Sequence, residues 1–298
     1  MGRRKPSPVH GVAIVDKPRG PTSHDVVARG RKAFGTRQVG HAGTLDPMAT
    51  GVLVLAVGRA TKLVPWLTAA DKAYEATLKL GVATASLDAD GEVVGEAAVP
   101  TLALEAVREV AARFVGTHPQ RAPKVSAIKV GGERLHAKVR KGEAVEAPVR
   151  EVRLDALEVL ALDGDTLELR LRCGKGYYVR SLGRDLAEAL GTVGHLTALR
   201  RTASGAFGLD EAVALAALGG PPGPPLLSLA EAAGRVLPRL EATEAAEVDA
   251  RHGRPVDPAA VEGDVEAAES ALVRGGELIA VVRPGERGLQ VVRGFPRP

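Results

Sequence analysis

Asp46 is the lone acid in GHAGTLDPMATG, residues 40–51, a stretch with one histidine, His41, among residues that are otherwise mostly small or turn-forming. Pro47 restricts the backbone of Asp46 to extended values and so fixes the direction of its side chain. Gly40, Gly43 and Gly51 allow tight backbone conformations and the close approach of a bulky ligand. A second dense stretch, GKGYYVRS at 174–181, sets Tyr177, Tyr178 and Arg180 beside two glycines. An arginine leaving such a bend can hold a carboxylate through paired hydrogen bonds and keep it ionised. Taken singly, each residue also has a plain structural reading: Asp46 as an Asx turn or cap, His41 as a hydrogen-bonded structural histidine, Arg180 as a surface ion pair, and Tyr74 of DKAYEA as a strand aromatic.

Other chemistries find no support. A P-loop needs G-x-x-x-x-G-K-[ST], whereas Gly174-Lys175 is followed by Gly176. None of the seven histidines lies four residues from another, so no H-E-x-x-H site exists. DADG at 88–91 resembles the start of a calcium loop but lacks the later ligands, and reads as a turn. A single cysteine, Cys173, excludes an internal disulfide framework and a multi-cysteine zinc site. Neither a metal nor a cofactor is expected.

The elements that must position these residues follow from pattern. A short buried strand at 12–15 ends in a Lys-Pro turn, and Thr22 or Ser23 caps a helix through about Phe34, closed by Gly35. An apolar strand covers 52–57, KAYEATLKLGV alternates as a strand, and LDADGEVV is a turn with a hairpin return. Thr101 caps an amphipathic helix, LALEAVREVAARFVG. A polar, basic segment at about 119–147 has weak periodicity and reads as an inserted arm. Two strands then flank the Asp163-Gly164-Asp165 turn, and GKGYYVRSLGRDLAEALG is a bend into a helix ended by Gly191. LGGPPGPPLL at 218–227 reads as a linker or rigid boundary before a small β-rich tail. Strands, hairpins and non-alternating helices favour an α+β fold.

The bulk numbers set outer bounds. With 298 residues, 45% hydrophobic and 26% charged, the chain is long enough for one large domain or a large and a small one. No run of about 18 apolar residues exists, so no membrane span is expected. MGRRKPSPVHG is basic but is not followed by an apolar segment and cleavage site, so a cytoplasmic location is expected. The net charge of +4 matters only where it clusters, as at 29–32, 138–141 and 199–201, because phosphate contacts act locally.

In order, GVAIVDKPRGPTSHDV, GHAGTLDPMATGVLVLAVGRATK, DKAYEATLKLG and GKGYYVRSLGRDLAEALG closely resemble the TruB family of tRNA pseudouridine synthases. The resemblance runs from about residue 11 to 205, with LTALRRTASG as a further family-like stretch. It implies a mixed, mainly antiparallel sheet flanked by helices and loops over 1–235, and a small PUA-like RNA-binding module over 236–298. It implies a cofactor-free isomerisation of uridine to pseudouridine in the tRNA T-loop, conventionally position 55, in which uracil leaves C1′, rotates and reattaches through C5. On that resemblance Asp46 matches the catalytic aspartate and Arg180 the arginine that pairs with it and should depress its pKa. Tyr74 matches the tyrosine that stacks on the flipped uracil, and Tyr178 a second tyrosine beside the target nucleotide. His41 matches the residue that occupies or props open the space the base leaves. Lys17, in the Lys-Pro turn, and Leu199, before the paired arginines, match positions with a supporting role.

The segment QRAPKVSAIKVGGERLHAKVRKGEAVE matches the family's RNA-gripping insertion, where Lys124, Lys129, Arg134, Lys138, Arg140 and Lys141 suit phosphate contacts. Val125 and His136 stand where tyrosine is common, so the arm contacts differ in detail. The expected partner is the T-arm of tRNA, with no obligatory protein partner, in a stand-alone monomer. Two rivals from other classes are a non-catalytic RNA-binding protein on the same fold, and a glycoside or nucleoside hydrolase using Asp46. The second would need another carboxylate in a comparable loop. Lys138→Ala or Arg140→Ala is expected to weaken tRNA binding and to flatten its dependence on salt by a slope of about one, read from titrations at several ionic strengths.

Overall fold

The computed structural model describes residues 7–123 and 147–297, with the backbone alone of two short strands between them. β1 (Gly11–Lys17) leads into α1 (Ser23–Ala33), then β2 (Val39–Ala42) and β3 (Thr50–Val57). Thr22 is the cap of α1: its hydroxyl accepts from the Asp25 N–H while the Asp25 carboxylate accepts from the Thr22 N–H, a reciprocal capping box. β1 and β3 read as continuous apolar runs because both of their faces are covered. Ala13, Val15, Leu53 and Leu55 face the core under α1, whereas Val12, Ile14, Val52 and Val54 face a second core shared with the C-terminal tail.

A 3₁₀ turn at Gly58–Leu63 and α2 (Val64–Ala69) precede β4 (Lys72–Leu80), whose alternating burial follows its sequence. β5 (Val82–Thr84) and β6 (Val93–Glu96) form the hairpin anticipated around DADG. α3 (Leu104–Ala112) starts later than Thr101 predicts: its N-cap is Ala103, without a side-chain cap, and Leu102 and Leu104 pack on the main core instead. Packing, not capping, sets that start.

β7 (Gly116–Arg121) takes up the first residues assigned by sequence to the inserted arm. Pro119 is tolerated because β7 is the edge strand. The arm therefore springs from Ala122 and Pro148, whose N–H and carbonyl close its base at 3.0 Å, rather than from 119. Within it, β8 (Lys129–Val130) pairs with β9 (Glu133–Arg134); Lys124, Lys138 and Arg140 and the side chain of Lys129 lie outside the described residues.

The long hairpin of β10 (Val149–Asp163) and β11 (Thr166–Cys173) feeds α4 (Val179–Ala189), β12 (Gly194–Ser204), β13 (Phe207–Gly208) and β14 (Val213–Ala214). The main sheet has the order β14-β1-β3-β12-β4-β11-β10-β7, with β2 on β3 and β13 on β12. All of its pairs are antiparallel except β1 with β14 and β3 with β12. This is the mixed, mainly antiparallel α+β architecture expected.

After Leu218 the proline-rich stretch does not dangle: Leu227 exchanges two 2.9 Å backbone hydrogen bonds with Val12 of β1. Then come α5 (Leu229–Gly234), β15 (Arg239–Ala242), α6 (Glu244–Arg251), β16 (Val261–Glu262), β17 (Ser270–Arg274), β18 (Glu277–Arg283) and β19 (Gln290–Gly294). Their five-stranded sheet, ordered β16-β15-β17-β18-β19, buries Ala271, Val273, Leu278 and Val281 against the outer face of β1 and β3. Trp66 of α2 donates to Glu269 at 2.6 Å across the same seam.

The parallel contact of β3 with β12 depends on Gly51. It has φ +98°, and a Cβ there would lie 2.2 Å from the Arg201 carbonyl oxygen. Gly51 thus makes room for a neighbouring strand, not for a ligand, and Gly40, with φ in the ordinary range, has no such constraint. Gly51→Ala is expected to lower the unfolding free energy by at least about 2 kcal/mol, read as a lower denaturant midpoint at unchanged m.

Candidate active site

The Asp46 loop connects β2 to β3 and is pinned from two sides. Ser23, the first residue of α1, is completely enclosed; its hydroxyl accepts from the Leu45 N–H at 2.8 Å and donates to the Leu45 carbonyl at 3.0 Å. Lys17, with no exposed surface, donates to the carbonyls of Pro18, Pro21 and Pro47 at 2.9, 2.8 and 3.3 Å. One ammonium therefore fastens the Lys-Pro turn to the residue after Asp46. Burial lowers the Lys17 pKa to about 8. Lys17 and Ser23 touch neither the cavity nor each other, and they hold the loop from behind.

Arg180 comes from the first turn of α4, with 5% of its side chain exposed. Its Nε lies 2.9 Å from Asp46 Oδ2, and one Nη lies 3.3 Å from Asp88 Oδ2 and 2.7 Å from the Ser86 carbonyl. Asp88 belongs to DADG in the β5–β6 turn, which sequence treated as a turn and nothing more. It is that turn, with Ser86 donating to its carboxylate and the Asp90 N–H donating at 3.2 Å, but it also aims a buried carboxylate at Arg180. A free acidic turn in a hairpin carries no sign of such a partner in its own spacing. The start of α4 is fixed by Gln120 of β7, whose side chain accepts from the Tyr178 N–H at 2.9 Å and donates to its carbonyl at 3.1 Å.

The balance at Asp46 differs from the sequence-based expectation. Burial raises its pKa above the ordinary 3.8; Arg180 opposes this, but Asp88 adds a like charge and the net direction is upward. Arg180 lowers the value by its own contribution without controlling the total.

Asp46 opens into a cavity of about 310 Å³, at the small end of the roughly 300–1,000 Å³ seen for ligand pockets. Tyr74, Leu199 and Tyr178 line it with Asp46 and Arg180. Tyr74 and Leu199 are 8% and 7% exposed, whereas the Asp46 side chain is 35% exposed, so the aromatic floor is deep and the carboxylate nearer the mouth. His41 and Lys17 do not line it. His41 instead makes an edge-on contact with His24 of α1 at 5.6 Å, and burial lowers its pKa.

Two buried cations that sequence passed over also line the cavity. Arg201 sits opposite Tyr74 in the β12–β4 register and donates to the carbonyls of Val52 and Gly43 at 2.6 and 3.1 Å. Burial raises the Tyr74 pKa, with Arg201 pulling it the other way. Lys72 donates to the Thr68 carbonyl at 2.6 Å and to that of Ala70, and burial brings its pKa to about 8. The paired arginines of LTALRR signalled a basic site but not which of the two turns inward. Among the described residues no group of three or more His, Cys, Asp or Glu is placed to hold a metal ion.

Residues 31–179 match the N-terminal domain of TruB family pseudouridylate synthases, and 180–220 match the tRNA pseudouridylate synthase B C-terminal domain. The chain is 47% identical over 279 residues, 92% of each chain, to a tRNA pseudouridine synthase B of Mycobacterium sp. (strain KMS). It is 43% identical over 295 residues, 97% of each chain, to that of Corynebacterium glutamicum (strain R). Its fold is similar to a chain of a Cbf5-Nop10-Gar1 complex, with TM-score 0.75 and 24% identity over 98% of this chain and 91% of that one. A chain of an H/ACA RNP bound to a substrate RNA containing 2′-deoxyuridine gives TM-score 0.74 and 24% identity, over 96% and 85%.

A titration of the isotopically labelled Asp46 carboxyl by NMR is expected to give a midpoint above 3.8, and Asp88→Asn to move it downward. The sign for stability follows: a raised folded-state value means the folded chain holds this proton more tightly than the unfolded chain. Its contribution is present at low pH and is lost as pH rises through the folded value.

Proposed function

The chain belongs to the TruB family of pseudouridine synthases and is an isomerase acting on tRNA, and from that premise we propose that it converts the T-loop uridine, conventionally position 55, to pseudouridine through Asp46. The observation that carries this reading is the ionic contact of Asp46 with buried Arg180 at the mouth of a cavity floored by Tyr74 and Leu199.

The chemistry maps onto that depth profile. A base in a folded loop must leave its stack before its glycosidic bond can be reached, at a cost of a few kcal/mol. The face of Tyr74 offers the flipped uracil a stacking surface, a contact worth roughly 1–3 kcal/mol. With uracil against Tyr74 and Leu199, ribose C1′ comes level with Asp46. The C1′–N1 bond breaks, the uracil turns within the cavity, and C5 bonds to C1′. The C5 proton leaves, N1 gains one, and no atom is added or lost overall. Asp46 assists by attack on C1′ or by balancing positive charge there, and both need it ionised. Its raised pKa therefore places the acid limb of the rate above that of an ordinary aspartate. Arg180 keeps the carboxylate aimed.

The insertion rooted at Ala122 and Pro148 grips the tRNA, through Lys124, Lys129, Lys138 and Arg140. The C-terminal unit from about 236 serves as a PUA-like module for the rest of the tRNA, in a stand-alone cytoplasmic monomer. Among the described residues no helix is long and apolar enough to cross a membrane.

The test is a tRNA transcript tritiated at uridine C5, with tritium release followed and the modified position mapped. Wild type is expected to release tritium from the T-loop uridine. Asp46→Asn is expected to lose roughly 10⁴-fold or more in rate while still binding tRNA. Free uracil as product would instead make the protein a hydrolase. Binding without release by wild type would leave an RNA-binding protein.

A further inference from the structure

The cavity wall carries four cations, Lys72, Lys175, Arg180 and Arg201, against a single carboxylate, Asp46. Arg180 is committed to Asp46 and Asp88. Lys72 and Arg201 each donate to two main-chain carbonyls, which carry no formal charge. Lys175 differs from both. It is exposed at the lip, on the turn between β11 and α4, and among the described residues no carboxylate lies within ion-pair reach of it. Two arginines of β10 and β11 that do not line the cavity are ion-paired instead: Arg153 with Asp71 and Asp155 at 2.6 and 3.0 Å, and Arg172 with Asp71 at 3.8 Å.

The turn is built to hold that lysine in place. The Gly174 N–H donates to the Arg153 carbonyl at 2.9 Å, with the Arg153 side chain packed 3.3 Å from where a Gly174 Cβ would be. Gly176, at φ +86°, then reverses the chain into α4. The base of Lys175 is thus fixed, while among the described residues its ammonium has no ion-pair partner.

Depth orders the contacts. Tyr74 and Leu199 are deepest, Asp46 is intermediate, and Lys175 is outermost. A nucleotide that enters base first, with C1′ at Asp46, leaves its phosphates at the lip. Excess positive charge in a partly desolvated wall favours an anion there. We propose that Lys175 binds a phosphate flanking the flipped nucleotide, and so serves as a substrate-positioning cation at the mouth of the active site. This inference rests on the function proposed above.

The test uses the full chain and a labelled synthetic T-arm hairpin, with affinity measured at several salt concentrations. Lys175→Ala is expected to weaken binding roughly five- to tenfold and to reduce the salt slope by about 0.7–0.9. Lys175→Arg should recover most of both. Hairpins with a neutral methylphosphonate on either side of the target uridine identify the contact. One of them should weaken wild type by a similar factor and weaken Lys175→Ala no further. Two outcomes overturn the proposal: unchanged affinity and salt slope in Lys175→Ala, or methylphosphonate effects that simply add to it. If wild type still releases tritium in the assay above, either outcome sinks the lysine assignment alone. A silent wild type sinks the function instead.

Discussion

A guanidinium buried to 5% exposure must be compensated, and the site is organised around how Arg180 meets that requirement. It faces Asp46 on one side and Asp88 and the Ser86 carbonyl on the other, so two separate loops converge on one cation carried by α4. Removing one partner of a buried pair costs about 3–5 kcal/mol because the remaining charge is stranded. The arrangement is therefore self-enforcing: α4, the β2–β3 loop and the β5–β6 turn can each take only the position that keeps Arg180 satisfied. It also leaves Asp46 in tension, close to a second carboxylate and partly desolvated, with its proton affinity raised rather than suppressed. A partly desolvated carboxylate of this kind, in its ionised form, would suit the developing positive centre of the proposed reaction.

The sheet supplies the stiffness that this cluster needs. β3 lies between two cores, so the residues after Asp46 are clamped on both faces. Arg201 works as a second pillar. It spans from the Tyr74 side of β4 to the carbonyls of Gly43 and Val52, tying the cavity floor to both ends of the Asp46 loop. Gly51 permits this by letting β12 come within contact of β3. Lys17 and Ser23 close the loop from the opposite side. Arg180, Arg201, Lys17 and Ser23 thus leave the aspartate little freedom, which is the preorganisation that the proposed handling of a flipped nucleotide needs.

Much of this was legible from local pattern. The apolar run of β3, the alternation of β4, the capping box of α1 and the glycine-rich bend into α4 all appear where their residues place them, because short-range sterics and burial period decide them. The start of α3 and the root of the inserted arm were misplaced, since each is decided by a distant partner: the main core for Leu104, and β10 for β7. Asp88, Arg201 and Gln120 escaped notice for the same reason, and Lys72 because a strand lysine carries no local mark of facing a cavity. In sequence Asp88 is a turn residue, Arg201 one of two adjacent arginines, Lys72 a strand lysine and Gln120 a polar residue in an irregular stretch. Their roles exist only through contacts 92, 158, 4 and 58 residues away, and only the lysine's is near.

The sequence by itself determined the chemistry available. Asp46 ahead of a proline, an arginine leaving a glycine bend, and a tyrosine on an alternating strand form the proposed reactive set, because residue type and local backbone restriction are properties of short segments. The tertiary structure alone decided the electrostatics. Whether Arg180 would lower the Asp46 pKa depended on a third charge and on burial, and neither is a local quantity. The same holds for which cations face the cavity and which of them lack an ion-pair partner among the described residues. Coulomb and desolvation energies act through space, over distances that chain order does not encode.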